Sequence, residues 1–154
     1  MIRTIAVIAL AAAFATPAAA QDVSLDPTFE SVTLSAGFDE DPHQVQMIAG
    51  GDINAERLGG ACVGFIANAP DVTLDYTAGD YTLSIGAIGD GADTTIAING
   101  PDGEWYCDDD SFEDGDPIFH FRNPQSGYYD IYVGTLESGS EVPVTLVITE
   151  MLGE

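Results

Sequence analysis

Carboxylates are the side chains best placed to do chemistry in this chain, and they are densest in Asp108-Asp109-Asp110-Ser111-Phe112-Glu113-Asp114-Gly115-Asp116. Calcium takes about six to eight oxygen ligands in a flexible geometry, so Asp108, Asp109, Asp110, Glu113, Asp114 and Asp116 offer most of a calcium site on one loop. Asp90 and Asp93, in the Gly-rich turn ahead of Thr94, are the second source of ligands if the two loops meet. The loop is not an EF-hand: counted from Asp110, the third position is Phe112, and the flanking helices are missing from the pattern. A solvated acidic loop with turn-capping aspartates is the other reading of the same residues. Calcium is the one cofactor the sequence raises.

Aromatic side chains suggest binding instead of ligation. Tyr128, Asp130 and Tyr132 alternate with apolar residues, which puts the three on one surface of a strand. They form a candidate binding face for a sugar or peptide, unless a loop or a second sheet covers it. Trp105 and Tyr106 precede Cys107, so one of them faces a core and the other faces out.

Hydrolysis has weaker support. A serine or cysteine nucleophile needs a base that is itself held in place. The two histidines are His43, beside Pro42, and His120, between Phe119 and Phe121. Neither a G-x-S-x-G elbow nor an H-E-x-x-H helix is present. Paired carboxylates at glycosidase distances arise by chance in a chain with 26 acidic residues, so they decide nothing. The expectation is a non-catalytic module, and the alternative is a secreted hydrolase with His120 or His43 as base.

Residues 1–20 have the form of a secretory leader: Arg3, an apolar run from Ile5 to Phe14, and Ala18-Ala19-Ala20 ahead of a cut before Gln21. Cys62 and Cys107 are an even pair in an exported chain, so a disulfide is the first inference, ahead of metal binding or catalysis. No later stretch approaches the roughly 20 apolar residues of a spanning helix, so no membrane insertion is expected after cleavage. The destination is the periplasm or the medium. The formal charge of the full chain is −23, and removal of Arg3 makes it −24, with Arg57 and Arg122 against 26 carboxylates and no lysine. That surface repels nucleic acid and anionic lipid, and it attracts cations and basic partners.

What positions these residues is a succession of short strands. After the leader, apolar residues recur with period two between Gly, Pro, Asp and Asn clusters. The predicted strands are Ser31 to Leu34, Gln44 to Ala49, Cys62 to Ile66, Val72 to Tyr76, Tyr81 to Ala87, Thr94 to Ile98, Glu104 to Cys107, Pro117 to Phe121, Tyr128 to Gly134 and Val142 to Thr149. Asn54 to Leu58 allows one helical turn. Tyr81, Leu83 and Ile85, and likewise Tyr129, Ile131 and Val133, are expected to point into the core from facing or neighbouring strands. Asn99 to Gly103 is a turn between adjacent strands, and Asn123 to Gly127 is expected to do the same job. Pro143 implies a strand that begins at an edge or leaves an amide position open. The fold class is an all-β antiparallel sandwich, jelly-roll-like, of about 8–10 short strands in a single domain.

The segments GACVGFIANAPDVTLDYTAG, DTTIAINGPDGEWYCDDDS, FRNPQSGYYDIYVGT and VTLVITE carry a resemblance. Over roughly Thr28 to Thr149, the chain resembles the bacterial pre-peptidase C-terminal domain and its stand-alone exported relatives. The resemblance implies a β-sandwich that accompanies secreted peptidases without performing their chemistry. Such domains assist secretion, folding or substrate attachment, and some relatives bind calcium or a polymeric substrate. No peptidase domain precedes this one, so the implied role is in trans or independent. The implied partner is a secreted peptidase, a cell-surface protein or a polymer, and a peptidase inhibitor or chaperone is a further alternative.

Overall fold

A computed structural model describes residues 21–152. The leader expected over residues 1–20 lies outside the described residues. Eleven strands run along the described residues: β1 (Glu30–Ser35), β2 (His43–Gly50), β3 (Ile53–Asn54), β4 (Phe65–Ile66), β5 (Val72–Thr77), β6 (Leu83–Ile88), β7 (Thr94–Asn99), β8 (Trp105–Asp108), β9 (Ile118–Phe121), β10 (Gly127–Thr135) and β11 (Glu141–Thr149). Two 3-10 turns, Ala55–Leu58 and Glu113–Gly115, interrupt them.

The strands form two packed sheets. The larger runs β1-β5-β10-β4-β3, with β7 on the other side of β10 and β8 beyond β7, and the smaller runs β2-β11-β6-β9. Every ladder is antiparallel except β1 with β5. The core lies between the sheets. Leu74, Tyr76, Ile96, Ile98, Tyr129, Ile131 and Val133 come from the larger sheet; Val45, Met47, Leu83, Ile85, Leu146 and Ile148 come from the smaller. Alternation along each strand sends these side chains inward, and a slip of one residue would turn each set to water. The β6 and β10 core strands lie in different sheets, and both turn apolar side chains into the shared core.

Aromatic rings close one end of this core. Phe121 meets Phe119, Tyr106 and Tyr129 at centroid distances of 4.8, 5.0 and 5.0 Å. The Tyr129 hydroxyl turns back four residues, donating to the Gln125 carbonyl at 2.8 Å and accepting from the Gln125 amide at 3.0 Å. Such a tyrosine corner fixes the chain where it enters a central strand.

Four expectations need correction. Tyr81 is 55% exposed, because β6 starts only at Leu83 and nothing pairs the chain before it. The predicted strand Cys62 to Ile66 shrinks to β4, because Gly64 takes a left-handed φ of 79° where its hydrogen lies against the Thr135 carbonyl and leaves no room for a Cβ. The turn Asn123 to Gly127 does not join neighbours in a sheet; it carries the chain from β9 in the smaller sheet to β10 in the larger. Tyr132 is buried, because the segment tied down by the Cys62–Cys107 disulfide covers it. By contrast, Asn99 to Gly103 does link the antiparallel pair β7 and β8. Pro143 lies opposite Ile48, ahead of Thr145 where β6 joins, so β11 has a partner on only one side there.

Candidate functional site

The acidic loop joins β8 to β9. Asp108, at the end of β8, accepts hydrogen bonds from the amides of Ser111 at 3.1 Å and Ile118 at 2.9 Å, so its carboxylate closes the base of the loop. Asp116 is buried and accepts from the Gly89 amide at 2.9 Å. That bond brings the loop against the β6–β7 turn, which carries Asp90 and Asp93. The two loops therefore meet. Burial pushes the Asp109 carboxyl up from its usual range, helped by the nearby charges of Asp110, Asp108 and Asp93.

Not all of these carboxylates are free to take a ligand. Asp108 and Asp116 are committed to backbone amides, whereas Asp90, Asp93, Asp110 and Glu113 are exposed, and Asp114 lies in the Glu113–Gly115 turn. Among the described residues, no three His, Cys, Asp or Glu side chains are grouped so as to hold a metal ion.

The expected face Tyr128, Asp130, Tyr132 divides. Tyr128 is 62% exposed and borders an open cleft of ≈ 360 Å³ with Asn99, Pro101 and Asp130. Asp130 is half-buried and accepts from the Thr73 hydroxyl at 2.7 Å; burial raises its carboxyl and that bond opposes the rise. Tyr132 is 0% exposed. The segment around Ala55, Leu58 and Cys62 folds over the outer surface of β10 and is tied down by the Cys62–Cys107 disulfide. Trp105 packs against Tyr132 with ring centroids 5.5 Å apart, and it joins the same outer cluster as the disulfide. Tyr106, its neighbour, points the other way into the main core and donates to Asp102 at 2.6 Å, which pushes its hydroxyl pKa up to about 12.

Two functional groups escaped sequence reasoning. Ser84 pairs with His120 across β6 and β9, and its Oγ shares a hydrogen bond of 2.7 Å with His120 Nδ1. Alternation put Ser84 on the surface, yet it is wholly buried. Asp71 is 3% exposed, and its Oδ2 accepts from the Val133 amide at 2.7 Å. It precedes β5 in phase with Thr73 and Asp75, so the sequence pattern gives only an outward-facing carboxylate.

The surroundings of Asp71 explain its burial. β5 covers one side of β10 from Gly127 to Ile131, and β4 resumes on that side at Thr135. The Asp71 side chain fills the gap between them and takes the place of a strand partner. Burial raises its carboxyl to about 7, against the lowering effect of the Val133 amide.

No family model matches the chain. No curated protein matches it either. Among solved structures, it is similar to PliG of Aeromonas hydrophila, a periplasmic lysozyme inhibitor of g-type lysozyme. The two are 19% identical, the match covers 78% of this chain and 97% of that one, and the TM-score is 0.39. At that level the likeness assigns neither family nor activity.

Proposed function

We propose that this chain is an exported, non-catalytic binding module whose partner is a cationic protein outside the cytoplasm, a secreted enzyme foremost. The observation that carries this reading is charge: two arginines stand against 26 carboxylates beyond residue 20. A field of that sign steers basic partners to the surface and weakens as salt screens it. The disulfide fits an oxidising compartment, the periplasm or the medium. The resemblance to pre-peptidase C-terminal domains makes secreted peptidases the first partners to try, with the chain acting as accessory module, inhibitor or chaperone. Stabilisation by calcium bound at Asp108 to Asp116 belongs to the same proposal.

The test uses the chain from Gln21 onward, with trypsin and lysozyme as basic probes and pepsin as an acidic one. Calorimetric binding to a basic probe, lost on raising sodium chloride, is the expected result. Equal affinity for pepsin, or none for any probe, would overturn the reading.

One observation favours a second reading, a hydrolase: the hydrogen bond between Ser84 and His120. Against it, a nucleophilic hydroxyl must meet a carbonyl, and Ser84 has no exposed surface. Labelling with a fluorophosphonate and cleavage of casein, both abolished in Ser84→Ala and His120→Ala, would establish the enzyme.

A further inference from the structure

Edge strands present a row of unpaired N–H and C=O groups, and proteins guard them with short length, charge, proline or bulges. β2 has none of these guards. It is eight residues long, pairs with β11 alone, runs in unbroken register from His43 to Gly50, and contains no Asp, Glu, Lys, Arg or Pro. The other edges are better protected. β1 has six residues and carries Glu30, while β8 and β9 have four each. In a chain this acidic, an uncharged edge of such length is the exception.

A cleft of ≈ 260 Å³ opens at the Gly50 end of β2, bordered by Phe29, Ile48, Asp71 and Glu141. Its wall is rigid. Gly50 and Gly51 have φ of 147° and 150°, and a Cβ on either would lie 2.2 Å from the Ser140 carbonyl oxygen or 2.1 Å from the Ile66 carbonyl carbon. Phe29 and Ile48 leave large apolar surfaces exposed beside it. Around the two ends of the neutral strand stand Glu30, Asp39, Glu40 and Glu141, all exposed.

We propose that the free edge of β2 receives an extended segment of a partner protein as an added strand, with a lysine or arginine of that segment seated in the cleft beside Phe29 and Ile48. Only an extended polypeptide matches an alternating row of donors and acceptors, and main-chain pairing gives such complexes their affinity while a side-chain pocket gives selectivity. The apolar walls suit the methylene stem of a basic side chain, and the carboxylates suit its charged end. A second copy of this chain is disfavoured, because pairing two β2 edges would bring like charges together at both ends. The inference rests on the binding reading above and names the surface for it.

A nine-residue peptide of alternating valine and lysine is the probe, compared with the same peptide N-methylated at every backbone amide. Both carry the same charge, but only the first can complete a ladder. The plain peptide should slow amide hydrogen exchange in β2, shift the resonances of Phe29 and Ile48, and bind at least about tenfold more tightly than the methylated one. Gln44→Lys with Ile48→Lys should abolish that preference, whereas Glu56→Gln with Glu104→Gln, which changes net charge by the same two units at exposed positions elsewhere, should keep it. Equal binding of the two peptides, protection mapped away from β2, no binding of either, or a peptide-free dimer protecting β2 would overturn the proposal. If basic proteins still bind the Gln44→Lys, Ile48→Lys variant with unchanged affinity, the binding reading stands and this surface is wrong.

Discussion

The carboxylate of Asp71 replaces a missing strand partner for Val133, accepting its amide hydrogen at 2.7 Å in the gap between β5 and β4. Burial raises this carboxyl to about 7, so between its ordinary range and 7 the folded chain holds a proton that the unfolded chain does not. Stability from this group is therefore fully present below about pH 4 and is lost as pH rises through 7. Asp71→Asn keeps an acceptor for Val133 and removes the titration. We expect the variant to match the parent near pH 3.5 and to exceed it at pH 8.5 by on the order of 1–4 kcal/mol. Urea unfolding at the two pH values checks this, and equal pH dependence in both proteins would contradict it.

Removing the disulfide should loosen one surface before it unfolds the molecule. Cys62→Ser with Cys107→Ser frees the segment that covers Tyr132 and Trp105. The expected cost is about 2–5 kcal/mol. Trp105 is the single tryptophan, so its emission should shift to the red in the folded variant. An unshifted spectrum would mean that packing alone holds the cover.

Tyr129→Phe keeps the ring packed against Phe121 and deletes the hydroxyl that serves both polar groups of Gln125. A loss of about 1–3 kcal/mol is expected, because the Gln125 amide and carbonyl are left without that partner. Tyr128→Phe, at the exposed neighbouring position, should change stability by less than about 0.5 kcal/mol.

Within the acidic loop, Asp108→Ala should lower stability in calcium-free buffer by about 1–3 kcal/mol, since two amides lose their acceptor. Asp110→Ala, at an exposed position, should be nearly neutral there. The mark of a calcium site is a rise in Tm with millimolar calcium that sodium of equal ionic strength does not reproduce and that Asp110→Ala reduces. No selective rise removes calcium from the account of this loop.

Period-two patterning carried most of the architecture because each core strand turns one face to the space between the sheets; Leu83, Ile85, Tyr129, Ile131 and Val133 sit where alternation puts them. The pattern fails where a strand is dry on both faces. Tyr132 and Ser84 lie on faces that alternation assigns to water, yet a disulfide-tied segment covers the first, and the second is sheltered on the outer face of the smaller sheet. Covering of that kind is set by contacts distant in sequence. Asp71 is hidden for a related reason: the gap it fills exists only because two other strands stop short on β10. Whether the two acidic loops meet was left as a condition by the sequence, and the hydrogen bonds to Gly89, Ser111 and Ile118 were not legible in it, since these depend on backbone direction.

The neutrality of β2 gives the acidity of the rest of the chain a second use. A strand without gatekeeper charges is a template for fibrous self-assembly, and here only the mutual repulsion of whole molecules keeps two such edges apart. That repulsion has a pH at which it ends. As the carboxylates gain protons near the isoelectric pH of about 4.1, colloidal protection vanishes. Acidification, more than heat, is thus the condition under which this protein should turn into fibrils nucleated at His43–Gly50.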